Sequence, residues 1–173
     1  MADFLKVDEI LNDLNLEEDM AGAEFGCGAG MFAIALARKL NKGRVYALDI
    51  QEEKLSALKG KITLEKITNV SLILCDLEDV KGSTLKNDSL DIILIPNVLF
   101  QSENKNVIIK EAERILKSGG QLLVIDWLRP NPFVPQQSLV NPDAIKETAK
   151  NLGLSLKKEF AAGDYHYGLL FVK

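Results

Sequence analysis

One histidine, one tryptophan and two cysteines are all that this 173-residue chain contains of those types. The cysteines, Cys27 and Cys75, sit in glycine-rich and apolar surroundings, not in metal-type spacing. With His166 as the sole histidine and no metal-type spacing, a Cys/His zinc site is strongly disfavoured, and no metal is expected. Two isolated thiols read as small buried side chains in a reducing compartment. No apolar run approaches the ~18 residues of a membrane span. The N-terminus, "MADFLKVDEI", has acidic residues where a leader would carry a basic flank, so no targeting peptide and a cytoplasmic location are expected. Excess positive charge is missing too. The net charge of −4 argues against nucleic acid as a partner, because such binders carry a basic face.

What is present is 47% hydrophobic residues in alternating patterns, enough for one domain with a real core. Residues 4–14 place Phe4, Val7, Leu11 and Leu14 at helical spacing, and residues 1–20 read as a helical cap ahead of a domain over 21–173. Strands are expected at 21–25, 44–50, 70–75, 90–95, 121–127, 154–160 and 165–172. Helices are expected at 31–40, 52–62 and 103–117, with Gly119 and Gly120 just past the last of these. Residues 76–89 are polar and loop-like. Pro130, Pro132 and Pro135 make 128–140 an irregular loop. Asn141 and Pro142 read as the N-cap and first position of a further helix, and Gly153 as its stop.

Strands alternating with helices, and reading as near-continuous apolar runs, imply a parallel sheet covered on both faces. The last pair departs from this. Only "AAGD" joins strands six and seven, while a parallel crossover needs roughly a dozen residues. The last strand must therefore run antiparallel. The expected fold is α/β, a Rossmann-like, seven-stranded, mostly parallel sheet with an antiparallel last strand and helices on both faces.

Ligands of such sheets sit beyond the carboxyl ends of the strands. "AEFGCGAGMF" places Gly26, Gly28 and Gly30 where strand one ends and a helix begins. Glycine permits positive φ and close backbone approach. A dinucleotide fingerprint would put a small residue at position 31, where Met31 stands. Glu24 would repel a pyrophosphate and attract an ammonium group. Both observations disfavour a nicotinamide-dependent oxidoreductase. Asp49 ends strand two, nineteen residues after Gly30, where an acid accepts both ribose hydroxyls of a nucleoside. Asp76, after strand three, can accept from an adenine amino group. Asn97 follows strand four. Each of these taken alone is an ordinary strand-end turn residue. Together they line one edge of the sheet.

In order and spacing, these segments resemble the class I S-adenosylmethionine-dependent methyltransferases along essentially the whole chain. "EFGCGAG", including Cys27, resembles the family's E/D-x-G-x-G-x-G loop, and "VYALDI" its second motif. "CDLED" resembles the adenine-contacting segment and "EAERILKSGGQLLVIDW" the helix, glycine turn and fifth strand. The resemblance implies S-adenosyl-L-methionine as cofactor and S-adenosyl-L-homocysteine as product. It also implies that Glu24 and the glycine loop position the methionine part, Asp49 the ribose, and Ile50, Asp76 and Leu77 the adenine. Asn97 falls at the position lining the methyl-transfer site. Strand one departs from the family: "MAGAEF" has low β propensity where Val, Ile and Leu are usual.

Methyl transfer displaces a neutral sulfur, so no catalytic triad is expected and none is visible. His166 and Asp126 are the candidates for a base, each with a plain structural alternative. Phe100, Trp127, Tyr165 and Tyr167 are candidates for an apolar acceptor pocket, or for packing. The chain has no large insertion, and "IPNVLF" lacks the Asn-Pro-Pro-aromatic pattern of enzymes that methylate base amino groups. A small-molecule acceptor is expected. A non-catalytic cofactor-binding protein is the remaining alternative.

Overall fold

The computed structural model describes residues 5–173; Phe4 lies outside that range. In chain order the elements are α1 (Val7–Asn12), β1 (Ala21–Phe25), α2 (Met31–Lys39), β2 (Arg44–Asp49), α3 (Glu52–Leu64) and β3 (Val70–Leu74). There follow β4 (Leu90–Pro96), α4 (Lys105–Ile115), β5 (Leu116–Trp127), α5 (Pro142–Asn151), β6 (Ser155–Ala161) and β7 (His166–Val172). The seven strands form one sheet in the order β3-β2-β1-β4-β5-β7-β6. β7 alone runs against the other six strands, antiparallel to both β5 and β6, as the four-residue connection required. Strand order reverses between β1 and β4, which opens a crevice at the carboxyl ends of those strands.

Two apolar layers flank the sheet. Leu11, Phe32, Leu36 and Leu58 from α1–α3 pack on Val45, Ala47, Ile92 and Leu94. Ile108, Ile109, Ala112 and Ile145 from α4 and α5 pack on Ala23, Phe25, Ile93 and Val124. Consecutive strand residues alternate between the layers, as the pleat demands.

The low β propensity of strand one has a packing reason. A Cβ at Gly22 would lie 2.8 Å from Ile92 Cγ2 and 3.0 Å from Leu36 Cδ2. Ala23 is fully buried on the opposite face. Small residues let α2 sit close against the central strand, and packing there replaces propensity.

Most boundaries shift by one or two residues from the sequence reading, and two differ by more. α1 is shorter than residues 4–14, ending at Asn12. α4 stops at Ile115, and Gly119 and Gly120 lie inside β5, not in a turn before it. Leu116 pairs with Leu90, and the register then jumps so that Ile92 faces Gln121. The glycine pair forms this irregularity, with Gly119 at φ +81. The Gly119 N–H donates to the Lys173 carbonyl (2.8 Å), and the Lys173 N–H to the Gly120 carbonyl (3.0 Å). Cross-strand bonding by the chain's last residue converts an expected turn into strand. At α5, the Asn141 side chain accepts from the Asp143 N–H at 2.9 Å, and Gly153 is at φ +85, as expected of a cap and a stop.

Candidate active site

Three left-handed glycines shape the turn between β1 and α2. Gly26, Gly28 and Gly30 have φ of +64, +48 and +78. The Cys27 N–H donates to the Leu48 carbonyl (2.8 Å), and the Gly30 N–H to the Cys27 carbonyl (2.7 Å). A Cβ at Gly30 would lie 2.2 Å from Leu58 Cδ1, and one at Gly26 2.5 Å from Val98 Cγ2. At Gly28 a Cβ would meet nothing within 4 Å. The outer glycines serve packing and conformation, while the central one faces open space.

Asp49 braces this turn. Its Oδ2 accepts from the Gly28 N–H at 2.8 Å and its Oδ1 from the Gln51 N–H at 2.9 Å. A carboxylate has about four lone-pair directions, so two remain for a ligand. Glu24 is buried, and its Oε2 accepts from the Ala33 N–H, in the first turn of α2, at 2.7 Å. The strand carboxylate therefore satisfies a helix-terminal amide that would otherwise lack a partner. Burial pushes its pKa well above the usual carboxylate range; the Ala33 bond opposes this and the Asp49 charge adds to it. A cation at this point would favour the ionised form.

Two adjoining cavities meet at Gly26. One, of about 230 Å³, is lined by Gly26, Asp49, Ile50, Asp76, Leu77 and Glu78, among others. Ile50 is 61% exposed there, an apolar surface open to a ligand. The other, of about 150 Å³, is lined by Leu5, Glu24, Gly26, Cys27, Pro96 and Asn97, with Ala29, Met31 and Phe32. Asn97 has φ +56, strained for a residue with a side chain, and its buried Oδ1 has no hydrogen-bond partner. The structure thus gathers Glu24, Gly26, Cys27, Asp49, Ile50, Asp76, Leu77 and Asn97 around two hollows that share Gly26 as a wall, with Gly28 and Gly30 in the same turn. The thiol of Cys27 is pushed up to about 12, chiefly by burial, and that of Cys75 to about 11, so neither is a thiolate.

Residues within the polar loop 76–89 also matter. Asp76 Oδ1 accepts from the Glu78 N–H (2.8 Å). Glu78 accepts from the N–H groups of Glu103 (3.2 Å) and Asn104 (2.6 Å), tying the cavity wall to the start of α4. Further on, buried Glu111 accepts from Ser83 and from Arg114. Burial would raise the Glu111 carboxyl, but the Arg114 and Ser83 bonds outweigh it and hold it below its usual range. The bonds to Glu78 from Glu103 and Asn104, and those from Ser83 to Glu111, span 25–28 positions in the sequence. No local pattern announces them.

Asp126 and His166 lie beyond β4 and do not meet each other. They stand in adjacent antiparallel pairs, Asp126 opposite Tyr167 and Trp127 opposite His166, so their side chains leave opposite faces of the sheet. Asp126 accepts from the Phe100 (3.1 Å) and Trp127 (2.8 Å) N–H groups. Burial raises its pKa to about 6 against those bonds. Burial lowers that of His166 to about 4, so the ring is neutral. The ring lies 4.0 Å from that of Trp127, and neither nitrogen has a partner. Tyr165 and Tyr167 separate: Tyr167 enters the layer of α4 and α5, while Tyr165 lines a small pocket with Trp127.

A glycine turn, a braced acid at the end of β2 and a closing antiparallel strand define a class I methyltransferase domain. A family model described as "Methyltransferase domain" matches residues 16–166, and the chain belongs to that family. Over 131 residues it is 25% identical to a demethylmenaquinone methyltransferase of Geobacillus kaustophilus, covering 73% of this chain and 53% of that protein. Over 115 residues it is 31% identical to a ubiquinone/menaquinone biosynthesis C-methyltransferase of Hydrogenovibrio crunogenus, covering 65% and 42%. The chain spans about half the length of these curated relatives. A SAM-dependent methyltransferase from Aquifex aeolicus has the same fold, with TM-score 0.86, 21% identity, and coverage of 97% of this chain and 89% of that one. Geranyl diphosphate C-methyltransferase from Streptomyces coelicolor, solved with S-adenosylhomocysteine, matches at TM-score 0.81 and 12% identity over 96% and 79%. No helix among the described residues is long and apolar enough to cross a membrane.

Proposed function

We propose that this chain binds S-adenosyl-L-methionine along the carboxyl ends of β1–β4 and transfers its methyl group to a small-molecule acceptor. The observation that carries this reading is Asp49. Its carboxylate is fixed by two backbone amides on the wall of a cavity also lined by Ile50, Asp76 and Leu77. That arrangement fits a nucleoside. Asp49 has two acceptor directions left for the ribose hydroxyls, Ile50 offers an apolar face to the adenine beside Leu77, and Asp76 accepts from its amino group. The smaller hollow fits an amino-acid tail, with Glu24 and Asn97 as its polar groups.

The cofactor supplies a methyl carbon on a sulfonium centre, with a neutral thioether as leaving group. The chain's part is then to align the reactants and exclude water. The rigid glycine turn and the braced Asp49 set that alignment. Residues 1–20 act as a cap: Leu5 lines the smaller hollow, and α1 packs in the same layer as α2. Asp126 is engaged by backbone amides and His166 is enclosed beside Trp127, so neither is assigned as a base. The acidic balance and free cysteines support a small molecule over nucleic acid, and a cytoplasmic setting.

Calorimetric titration of the chain with S-adenosylmethionine, S-adenosylhomocysteine and NADH tests the reading. Both sulfur nucleosides should bind and NADH should not. Binding of NADH alone would sink it and restore the oxidoreductase alternative. Cofactor binding with no methyl transfer to any small molecule in a broad acceptor screen would favour the non-catalytic alternative.

A further inference from the structure

The sheet has two free edges, β6 and β3, and they are built in opposite ways. β6 carries Lys157, Lys158 and Glu159 in a row, all exposed, and its register with β7 shifts between Leu156 and Lys158. Charges and a bulge are devices that stop an edge strand from pairing with another chain. β3 reads "VSLIL", with no charge, no proline and no shift in its register with β2. None of its residues is fully buried, and Leu74 is 56% exposed. An apolar edge without such protection is a template for strand addition.

The unpaired backbone groups follow from the ladder. The Val45 N–H donates to the Asn69 carbonyl (2.9 Å), and the Cys75 N–H to the Asp49 carbonyl (3.0 Å). In a parallel pair, alternate residues turn their backbone groups to the neighbouring strand. Asn69, Ser71, Ile73 and Cys75 therefore face β2, while Val70, Leu72 and Leu74 direct their N–H and C=O groups out of the sheet. Val70 and Leu72 lie against the layer of α2 and α3, and by alternation Leu74 shares their face. One row of residues thus carries both the open backbone and the incompletely covered apolar side chains.

That row is complementary to itself. About a two-fold axis at Leu72, antiparallel pairing sets Leu72 against Leu72, and Val70 against Leu74 at either side. Each is a hydrogen-bonded pair that exchanges both backbone bonds, and the apolar side chains meet on one face. Charge favours the same sense. Lys66 and Arg44, whose guanidinium reaches Ser71 Oγ at 3.4 Å, stand at the amino end of the edge. Asp76 and Asp79 stand beyond its carboxyl end. The two-fold brings the basic end of one copy to the acidic end of the other, whereas parallel pairing sets like against like. We propose that β3 is the dimerisation edge of this protein, and that its partner is a second copy of the chain, joined by antiparallel β3–β3 pairing into one continuous sheet. Such an isologous contact uses up the edge, so assembly stops at two. The inference does not rest on what the cleft binds.

Sedimentation velocity of the full chain from about 1 to 200 µM, a span suited to weak association, tests this. The mass should rise from 19.1 kDa to twice that value and stop there. Leu74→Lys, at an exposed position, should leave the melting temperature alone and weaken the dimer at least about tenfold, because it removes an apolar pair on both sides of the axis. Leu156→Lys, on the β6 edge, should leave association unchanged. Leu72→Cys reads the register: its two Cα atoms would stand about 5.5 Å apart, within disulfide reach, so mild oxidation should link the dimer covalently. The wild type, whose Cys75 would stand opposite Asn69 of the other copy, should not be linked. Growth beyond two copies, equal association in the Leu74 variant, loss of association in the Leu156 variant, or linkage at Leu72 no greater than in the wild type would each overturn the proposal. So would a monomer at every concentration, which would leave the edge to an extended segment of another protein.

Discussion

Asp49→Ala should lower both the stability of the free protein and its affinity for cofactor, by separable amounts. In the free protein the carboxylate accepts two backbone N–H groups, from Gly28 and Gln51. Gln51 is exposed and its amide can turn to water, so the loss falls mainly on the bond to Gly28. A hydrogen bond to a charged group contributes about 1.5–3 kcal/mol. A loss near 2 kcal/mol lowers the melting temperature of a chain this size by about 4–8 °C. The ribose contacts add a separate loss of about 2–3 kcal/mol in binding, or about 30–150-fold in Kd. The two effects are read apart by melting with and without S-adenosylhomocysteine. At a ligand concentration 100 times the wild-type Kd, the wild type gains about 2.7 kcal/mol; a variant weakened about 100-fold gains about 0.4 kcal/mol. Asp49→Asn, which keeps one acceptor oxygen, should fall between. An affinity within threefold of wild type, with the melting temperature lowered, would make Asp49 a brace of the turn and nothing more. No change in either would refute the geometry.

Gly30→Ala should be more damaging than Gly28→Ala. Both impose a left-handed conformation on alanine, costing about 1–2 kcal/mol, but only at Gly30 does the new methyl meet Leu58, adding about 1–3 kcal/mol. Urea unfolding of the two variants checks the order. The pH dependence of stability should show two opposed groups. Asp126 has its pKa raised to about 6 in the fold, so its contribution is complete below about pH 4 and is lost as pH rises to 6. His166 is lowered to about 4, so its contribution is complete above about pH 6.5 and is lost as pH falls to 4. Each is worth up to about 3 kcal/mol, and they offset one another between pH 4 and 6. Asp126→Asn should therefore make stability fall more steeply on acidification from pH 6.5 to 4.5, as measured by urea midpoints. A slope equal to the wild type's would contradict the raised pKa of Asp126.

Topology was legible because loop length and hydrophobic period are local quantities. A four-residue connection admits only a hairpin, and β7 is antiparallel. The positions around the cleft were legible for a related reason: residues at strand ends and in glycine turns carry their backbone geometry in their type. Gly26, Gly28 and Gly30 are left-handed, and Asp49 reaches back to that turn.

Long-range partners decided the rest. "MAGA" reads as a poor strand until Ile92, Leu36 and Leu40 are seen to occupy the space a side chain at Gly22 would need. Gly119 and Gly120 read as a turn until Lys173 bonds across to them. Glu24 reads as a misplaced carboxylate until the Ala33 amide meets it. Sequence by itself determined which backbone conformations and connections were allowed, because those costs are paid within a few residues. Tertiary structure alone decided which neighbours made them favourable, because packing and buried hydrogen bonds depend on residues far apart in the chain.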